Sequence, residues 1–109
     1  MSPTVVVDGR NVQRSRWPNI PDRQLVELAR EWAQRNGHDV LLVFDGAAPE
    51  EADDVVGTGR ESADDWIARE AIQHEPYWLV TSDRELRGRA GADAERVIGG
   101  GSFAGELGR

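Results

Sequence analysis

The sequence predicts an α/β domain built on a mostly parallel central sheet of four or five strands, and three observations carry that expectation. Four short apolar runs, Thr4 to Val7, Asp39 to Phe44, Tyr77 to Thr81 and Glu95 to Ile98, show no alternation with polar residues. Such runs suit strands covered on both faces, as in a parallel sheet. Each closes on a turn signal: Asp8-Gly9, Asp45-Gly46, Ser82-Asp83 and Gly99-Gly100-Gly101. Between the runs lie segments whose apolar residues recur at helical spacing, and strand–helix alternation gives parallel strands joined by right-handed crossovers.

The elements follow in order. After the first run, residues 10–16 read as a loop. From Asp22 to Asn36, Leu25, Val26, Leu28, Ala29, Trp32 and Ala33 form one stripe, and Gly37 stops the helix. The run at Asp39 follows, and Val55-Val56 reads as a very short edge strand inside the acidic connection 46–61. From Ser62 to about His74, Ala63, Trp66, Ile67 and Ala71 repeat the helical pattern, which Pro76 ends. A short helix is expected from Ser82 to Ala90 and a last turn from Ser102 to Leu107. No internal repeat is visible, and 109 residues make one domain, 1–109.

Composition removes several chemistries. There is no cysteine, so disulfides, thiolate zinc sites and cysteine nucleophiles are excluded. Lysine is absent as well, since all 13 basic residues are arginine. A Walker-type phosphate loop, a Schiff-base enzyme and a receiver domain each need a lysine, so none of them fits. No apolar stretch approaches a membrane span and no signal-peptide core follows Met1, so a soluble cytoplasmic protein without membrane contact is expected.

The net charge of −7 is unevenly spread. Residues 38–83 hold two arginines against twelve acids, whereas both flanking segments are weakly basic. In an open α/β sheet ligands bind beyond the carboxyl ends of the strands. Three of the predicted strands end at an aspartate, Asp8, Asp45 and Asp83, and a helix opens with Asp64 and Asp65. Taken singly, these are ordinary turn and capping residues. Gathered at one edge they would repel one another by about 1–4 kcal/mol per close pair, depending on the local dielectric. With neither lysine nor cysteine to hand, a hard oxygen-bound cation, Mg²⁺ or Mn²⁺, is the natural neutraliser. Metal-assisted phosphodiester hydrolysis is the reaction class that follows.

Helical phase separates the neighbouring pair: Asp64 flanks the buried stripe, and Asp65 points nearly opposite, so Asp64 is the better candidate. Glu70 falls near the stripe's centre and reads as a buried ion-pair partner or an interface residue. Asn11, three residues after Asp8, reaches the same crevice. Thr81 and Ser82 flank Asp83 and can donate to a carboxylate or a phosphate. Trp32, Trp66 and Trp78 read as core, and His38 and His74 carry no ligand spacing.

Four motifs then stand in order: Val5-Val6-Val7-Asp8-Gly9-Arg10-Asn11-Val12, Leu42-Val43-Phe44-Asp45-Gly46, Ser62-Ala63-Asp64-Asp65-Trp66-Ile67 and Val80-Thr81-Ser82-Asp83-Arg84-Glu85-Leu86. With them the chain resembles a YacP-like NYN domain, a branch of the PIN-like metal-dependent ribonucleases, from about Thr4 to Phe103. The resemblance implies a small three-layer PIN-like domain with a divalent-metal site at the sheet's carboxyl edge. It places Asp8, Asn11, Asp64 and Asp83 at the nuclease site, with Asp65 and Asp45 as further metal ligands. The activity it implies is endonucleolytic hydrolysis of RNA, and a ribosome-associated setting is among those in which the RNA would be met.

An acidic nuclease must still hold a polyanion. Arg10, Arg14 and Arg16 on one side and Arg84, Arg87 and Arg89 on the other would supply phosphate contacts, with Ser82 between them. Trp17 either pins its loop to the core or stacks on a base. The competing reading is a catalytically silent module that binds RNA or protein, against which the retained carboxylates argue. A phosphatase is disfavoured, because Asp8-Gly9-Arg10 lacks the second aspartate of the aspartyl-phosphatase motif.

Overall fold

Three fully buried valines in succession, Val5, Val6 and Val7, need cover on both faces of their strand, and the fold supplies it. The computed structural model describes residues 2–16 and 18–108; Trp17, a candidate base-stacking residue, lies outside them. The strands β1 (Thr4–Asp8), β2 (Asp39–Phe44), β3 (Val55–Gly57), β4 (Tyr77–Val80) and β5 (Arg96–Ile98) form one sheet in the order β3-β2-β1-β4-β5. Every pairing is parallel. Val6 lies opposite Leu41 and Leu79, so these three side chains share a face; Val5 and Val7 point to the other.

Five α-helices complete three layers: α1 (Gly9–Arg16), α2 (Asp22–Asn36), α3 (Ala63–Glu70), α4 (Arg84–Ala90) and α5 (Gly100–Leu107). Helices α1, α2 and α5 pack on Val5, Val7, Leu42, Phe44 and Val80. Helices α3 and α4 pack on Val6, Leu41, Val43 and Leu79. Each fully buried aliphatic side chain contributes about 1.5–3 kcal/mol, which is what holds these short helices to the sheet. Helix α2 ends where expected: Gly37 adopts the left-handed conformation, φ 71°, and its N–H bonds to the Ala33 carbonyl.

The structure corrects the sequence reading at several points. Residues 9–16 are helix α1, not a loop; Val12 is the segment's only apolar residue, so helical periodicity had a single point to show itself on. The polar side chains Asn11 and Gln13 are buried there with it. The helix expected over Ser62–His74 is α3 followed by a 3₁₀ turn, Ala71–His74. Glu70 pairs with its neighbour Arg69 at 2.8 Å, and with its side chain 37 % exposed it is not a buried partner. Trp32 is core, whereas Trp66 and Trp78 are half-buried. Trp78 lies under the Arg96 guanidinium, 4.8 Å from its ring centroid. The His38 and Trp78 ring centroids lie 4.4 Å apart.

Much of the acid in the middle of the chain is paired. Arg30 on α2 grips the 46–61 connection through Asp54 at 2.7 Å and Glu50 at 3.3 Å. Arg69 holds Glu61. These contacts tie the connection down and leave the carboxylates at the strand ends as a separate group.

Candidate functional site

β2 and β3 lie on one side of β1, β4 and β5 on the other, so the chain's direction of travel reverses between β1 and β4. In open α/β sheets the crevice that takes a ligand lies beyond the carboxyl ends of the strands at such a reversal. Asp8 is the last residue of β1, and Thr81 immediately follows β4. Both are buried, Asp8 with 3 % of its surface exposed. The Thr81 hydroxyl donates to Asp8 Oδ2 at 3.2 Å and accepts from the Asp83 N–H at 3.1 Å. The Asn11 N–H reaches Asp8 Oδ1 at 3.5 Å.

Two helix N-termini face the same crevice. Asp83 caps α4, its Oδ1 accepting from the Leu86 N–H at 3.0 Å. Ser62 caps α3 by accepting from the Asp65 N–H at 3.0 Å, which sets Asp64 in the first turn. Asp45, at the end of β2, also serves this terminus: its Oδ1 accepts from the Ala63 N–H at 2.7 Å. The result is a group of three carboxylates, Asp64, Asp83 and Glu85, each with an oxygen within 4.8 Å of the others.

Electrostatics record the crowding. Burial, then the charge of Asp64, pushes the Asp8 carboxyl up from 3.8 to about 6. Burial also raises Asp64, helped by Asp83, Asp45 and Glu85 and opposed by Arg89. Among the described residues, none of Asp64, Asp83 and Glu85 forms an ion pair, although ion pairs occupy several acids nearby.

Of the five carboxylates expected to share a metal, Asp64 and Asp83 therefore meet. Asp8 lies behind them and Asp45 beside α3. Asp65 is not brought in: it is exposed and bonds to Arg89 Nη1 at 2.8 Å. Glu85 escaped the sequence reading because an acid in the first turn of a helix looks like a dipole partner. Its spacing, two residues after Asp83 and so within the same turn, was the available signal.

Asn11 does enter the crevice wall. Its Oδ1 accepts from the Ser82 N–H at 2.9 Å, and Ser82 Oγ accepts from the Gly100 N–H at 2.8 Å. The ends of β1, β4 and β5 are thus stitched together. Gly100 is required by this stitch, since a Cβ there would overlap Asn11 Oδ1 and stand 2.8 Å from Ser15 Oγ.

The arginines divide. Arg10 turns away to Asp22 at 2.7 Å and Gln13 at 2.9 Å, with its guanidinium 5.5 Å from the Phe44 ring centroid. Its expected phosphate contact is replaced by a structural clasp, because the acceptors of α2 and α1 lie within its reach. Arg14, Arg16, Arg84 and Arg87 are exposed and form no ion pair among the described residues. The charge of Arg14 is felt at Asp8, and Arg87 Nε donates to the Thr81 carbonyl at 2.9 Å.

The same architecture occurs in solved structures. Rae1 (YacP) from Bacillus subtilis, as a single-site mutant, superposes with a TM-score of 0.78 at 21% identity, covering 97% of this chain and 75% of that one. A second structure of Rae1 (YacP) gives 0.75 at 21% identity, over 99% and 74% of the two chains. The chain has a YacP-like NYN/PIN-like fold. A mutant of T5 5′-exonuclease shares this PIN-like frame more distantly, with a TM-score of 0.60 at 16% identity over 88% of this chain and 49% of that one. No family profile and no curated protein sequence matches the chain. The acidic group lies at the switch point of this sheet.

Proposed function

We propose that the chain is a divalent-metal-dependent endoribonuclease working as a single domain. The observation that carries this is the group Asp64, Asp83 and Glu85 at the switch point, without an ion pair among the described residues and backed by buried Asp8. The donor set fits Mg²⁺ or Mn²⁺: the ligands are carboxylate oxygens, all within 4.8 Å of one another. Asp64, Asp83 and Glu85 would hold the cation, with Asp8 and Asp45 adding charge from behind. When bound, such a cation stabilises charge developing on a phosphate and acidifies an attacking water.

The chain's own groups do the rest. Asn11 Oδ1 accepts from the Ser82 N–H, which orients the amide, and its NH₂ group would meet a ligand as a donor to a phosphate oxygen. Asp8, its orientation fixed by Thr81, is the buried carboxylate that would draw a cation toward the crevice floor. Arg14, Arg16, Arg84 and Arg87, with Ser82, would carry the flanking phosphates. RNA is the substrate favoured by the likeness to the YacP-like fold, and the cytoplasm is the setting we propose. No helix among the described residues is long and apolar enough to cross a membrane.

The test is a covalently closed circular RNA incubated with the protein. Linearisation with Mn²⁺, its loss in chelator and its loss in Asp83→Asn are expected. Degradation of linear RNA alone would replace the endonuclease reading with an exonuclease. Binding without cleavage in any divalent metal would favour the silent module.

A further inference from the structure

Arg89 stands on α4 one turn beyond Glu85 and reaches across to the first turn of α3, where Nη1 donates to Asp65 Oδ1 at 2.8 Å. Its charge is felt at Asp64, and it feels Asp64 and Glu85 in return. Asp65 is exposed and occupied by this contact, whereas Asp64, Asp83 and Glu85 have no cationic partner among the described residues. An oppositely charged pair, Arg89 with Asp65, therefore sits on the flank of a group of three carboxylates.

We infer that the Arg89–Asp65 pair sets how tightly the carboxylate group holds a divalent cation, with Arg89 opposing the cation and Asp65 offsetting Arg89 instead of ligating. This rests on the metal-site reading above. The two residues act through charge at a distance, so each is a tuning residue and not part of the coordination shell. Across solvated space shorter than a Debye length of about 10 Å, one unit charge alters the Kd of a divalent cation about threefold to tenfold.

Opposite signs make the inference testable. Mn²⁺ alone is titrated into the full chain, and free Mn²⁺ is counted by electron paramagnetic resonance, with no RNA present. Arg89→Gln tightens Mn²⁺ binding about threefold to tenfold, and Asp65→Asn weakens it by a similar factor. The double variant returns close to wild type, and Arg89→Lys, which keeps the charge, matches wild type. High salt narrows all of these differences. Circular dichroism in chelator checks that each variant keeps its helices, and Asp65→Asn keeps the test informative if Arg89→Gln does not fold. A large loss in Asp65→Asn that Arg89→Gln fails to repair would make Asp65 a ligand and overturn the inference. Equal affinities in wild type and both single variants would overturn it too, while leaving the metal site standing. No Mn²⁺ binding in wild type or any variant would remove the metal reading itself, and this inference with it.

Discussion

Thr81 and Asp8, 73 positions apart in sequence, meet through one hydrogen bond of 3.2 Å at the buried floor of the crevice. The hydroxyl that donates to Asp8 also receives the N–H of Asp83, so one side chain orients a carboxylate from β1 and the turn that carries the α4 cap. A valine in its place would match its shape but leave the Asp83 N–H and one Asp8 oxygen without this partner, at a cost of about 1–3 kcal/mol. The pair also fixes where a titrating group sits, because Asp8 is the carboxyl that burial pushes to about 6.

Asp8 makes stability pH-dependent. Its folded pKa, about 6, lies above the unfolded 3.8, so the native state holds the proton more tightly between those values. Stability contributed by this group is therefore full below about pH 4 and is lost as pH rises through 6, by about 3 kcal/mol at most. Metal-free Asp8→Asn should be more stable than wild type at pH 7.5, with the advantage gone by pH 4. Urea unfolding of both proteins at the two pH values measures it. A variant that is less stable at pH 7.5 would show that the two hydrogen bonds outweigh the buried charge.

The arginines should separate by role. Arg14→Ala with Arg16→Ala should flatten the salt dependence of RNA binding, each lost phosphate contact removing about 0.7 from the log–log slope on single strands. Arg10→Ala should leave the slope unchanged and instead cost about 1 kcal/mol of stability, the value of a partly exposed pair with a cation–π contact. Binding isotherms across a salt series, with melting curves for each variant, check both halves. A slope change in Arg10→Ala would return that residue to the RNA surface.

The stitch between strand ends predicts opposite outcomes at two glycines. A methyl group at Gly100 would collide with Asn11 and crowd Ser15, whereas one at Gly88, within α4, meets nothing within 4 Å. Gly100→Ala should lose about 1–3 kcal/mol by overpacking. Gly88→Ala should gain about 0.5–1 kcal/mol from helix propensity. Equal melting shifts for the two would contradict the packing around Asn11.

Strands were legible because burial on both faces writes itself as unbroken apolar runs, as in Val5-Val6-Val7 and Val40 to Phe44. Helix α2 was legible because six apolar residues mark its stripe. Helix α1 was not, since it is held by polar burial: Gln13 donates to the Ile20 carbonyl and to Asp22, contacts that leave no periodic trace. The same holds at the site. Asp64 and Asp83 could be placed from strand ends and helical phase, and the outward turn of Asp65 was visible in that phase. That Arg10 pairs with Asp22, and that Glu85 joins Asp64, depends on how α1, α2, α3 and α4 lie against one another, which no local pattern encodes.

The carboxylate group can be tested through stability alone. Asp64 is raised by burial and by Asp83, Asp45 and Glu85, so its charge works against the metal-free fold. It is neither a cap nor an ion-pair partner, unlike Asp83 and Asp65, so Asp64→Asn removes repulsion without removing a named contact. Relief of about 1–2 kcal/mol is expected from carboxylates this close in a partly solvated crevice. Each kcal/mol corresponds to about 4–8 °C in Tm for a domain of this size. Mn²⁺ at a hundredfold excess over its Kd should add about 2.7 kcal/mol to wild type, and little to Asp64→Asn, which lacks one ligand. Melting scans of both proteins, with Mn²⁺ and with chelator, give four numbers. A wild type whose Tm ignores Mn²⁺, or an Asp64→Asn variant that melts below wild type in chelator, would mean that these acids serve only as turn and helix-end residues.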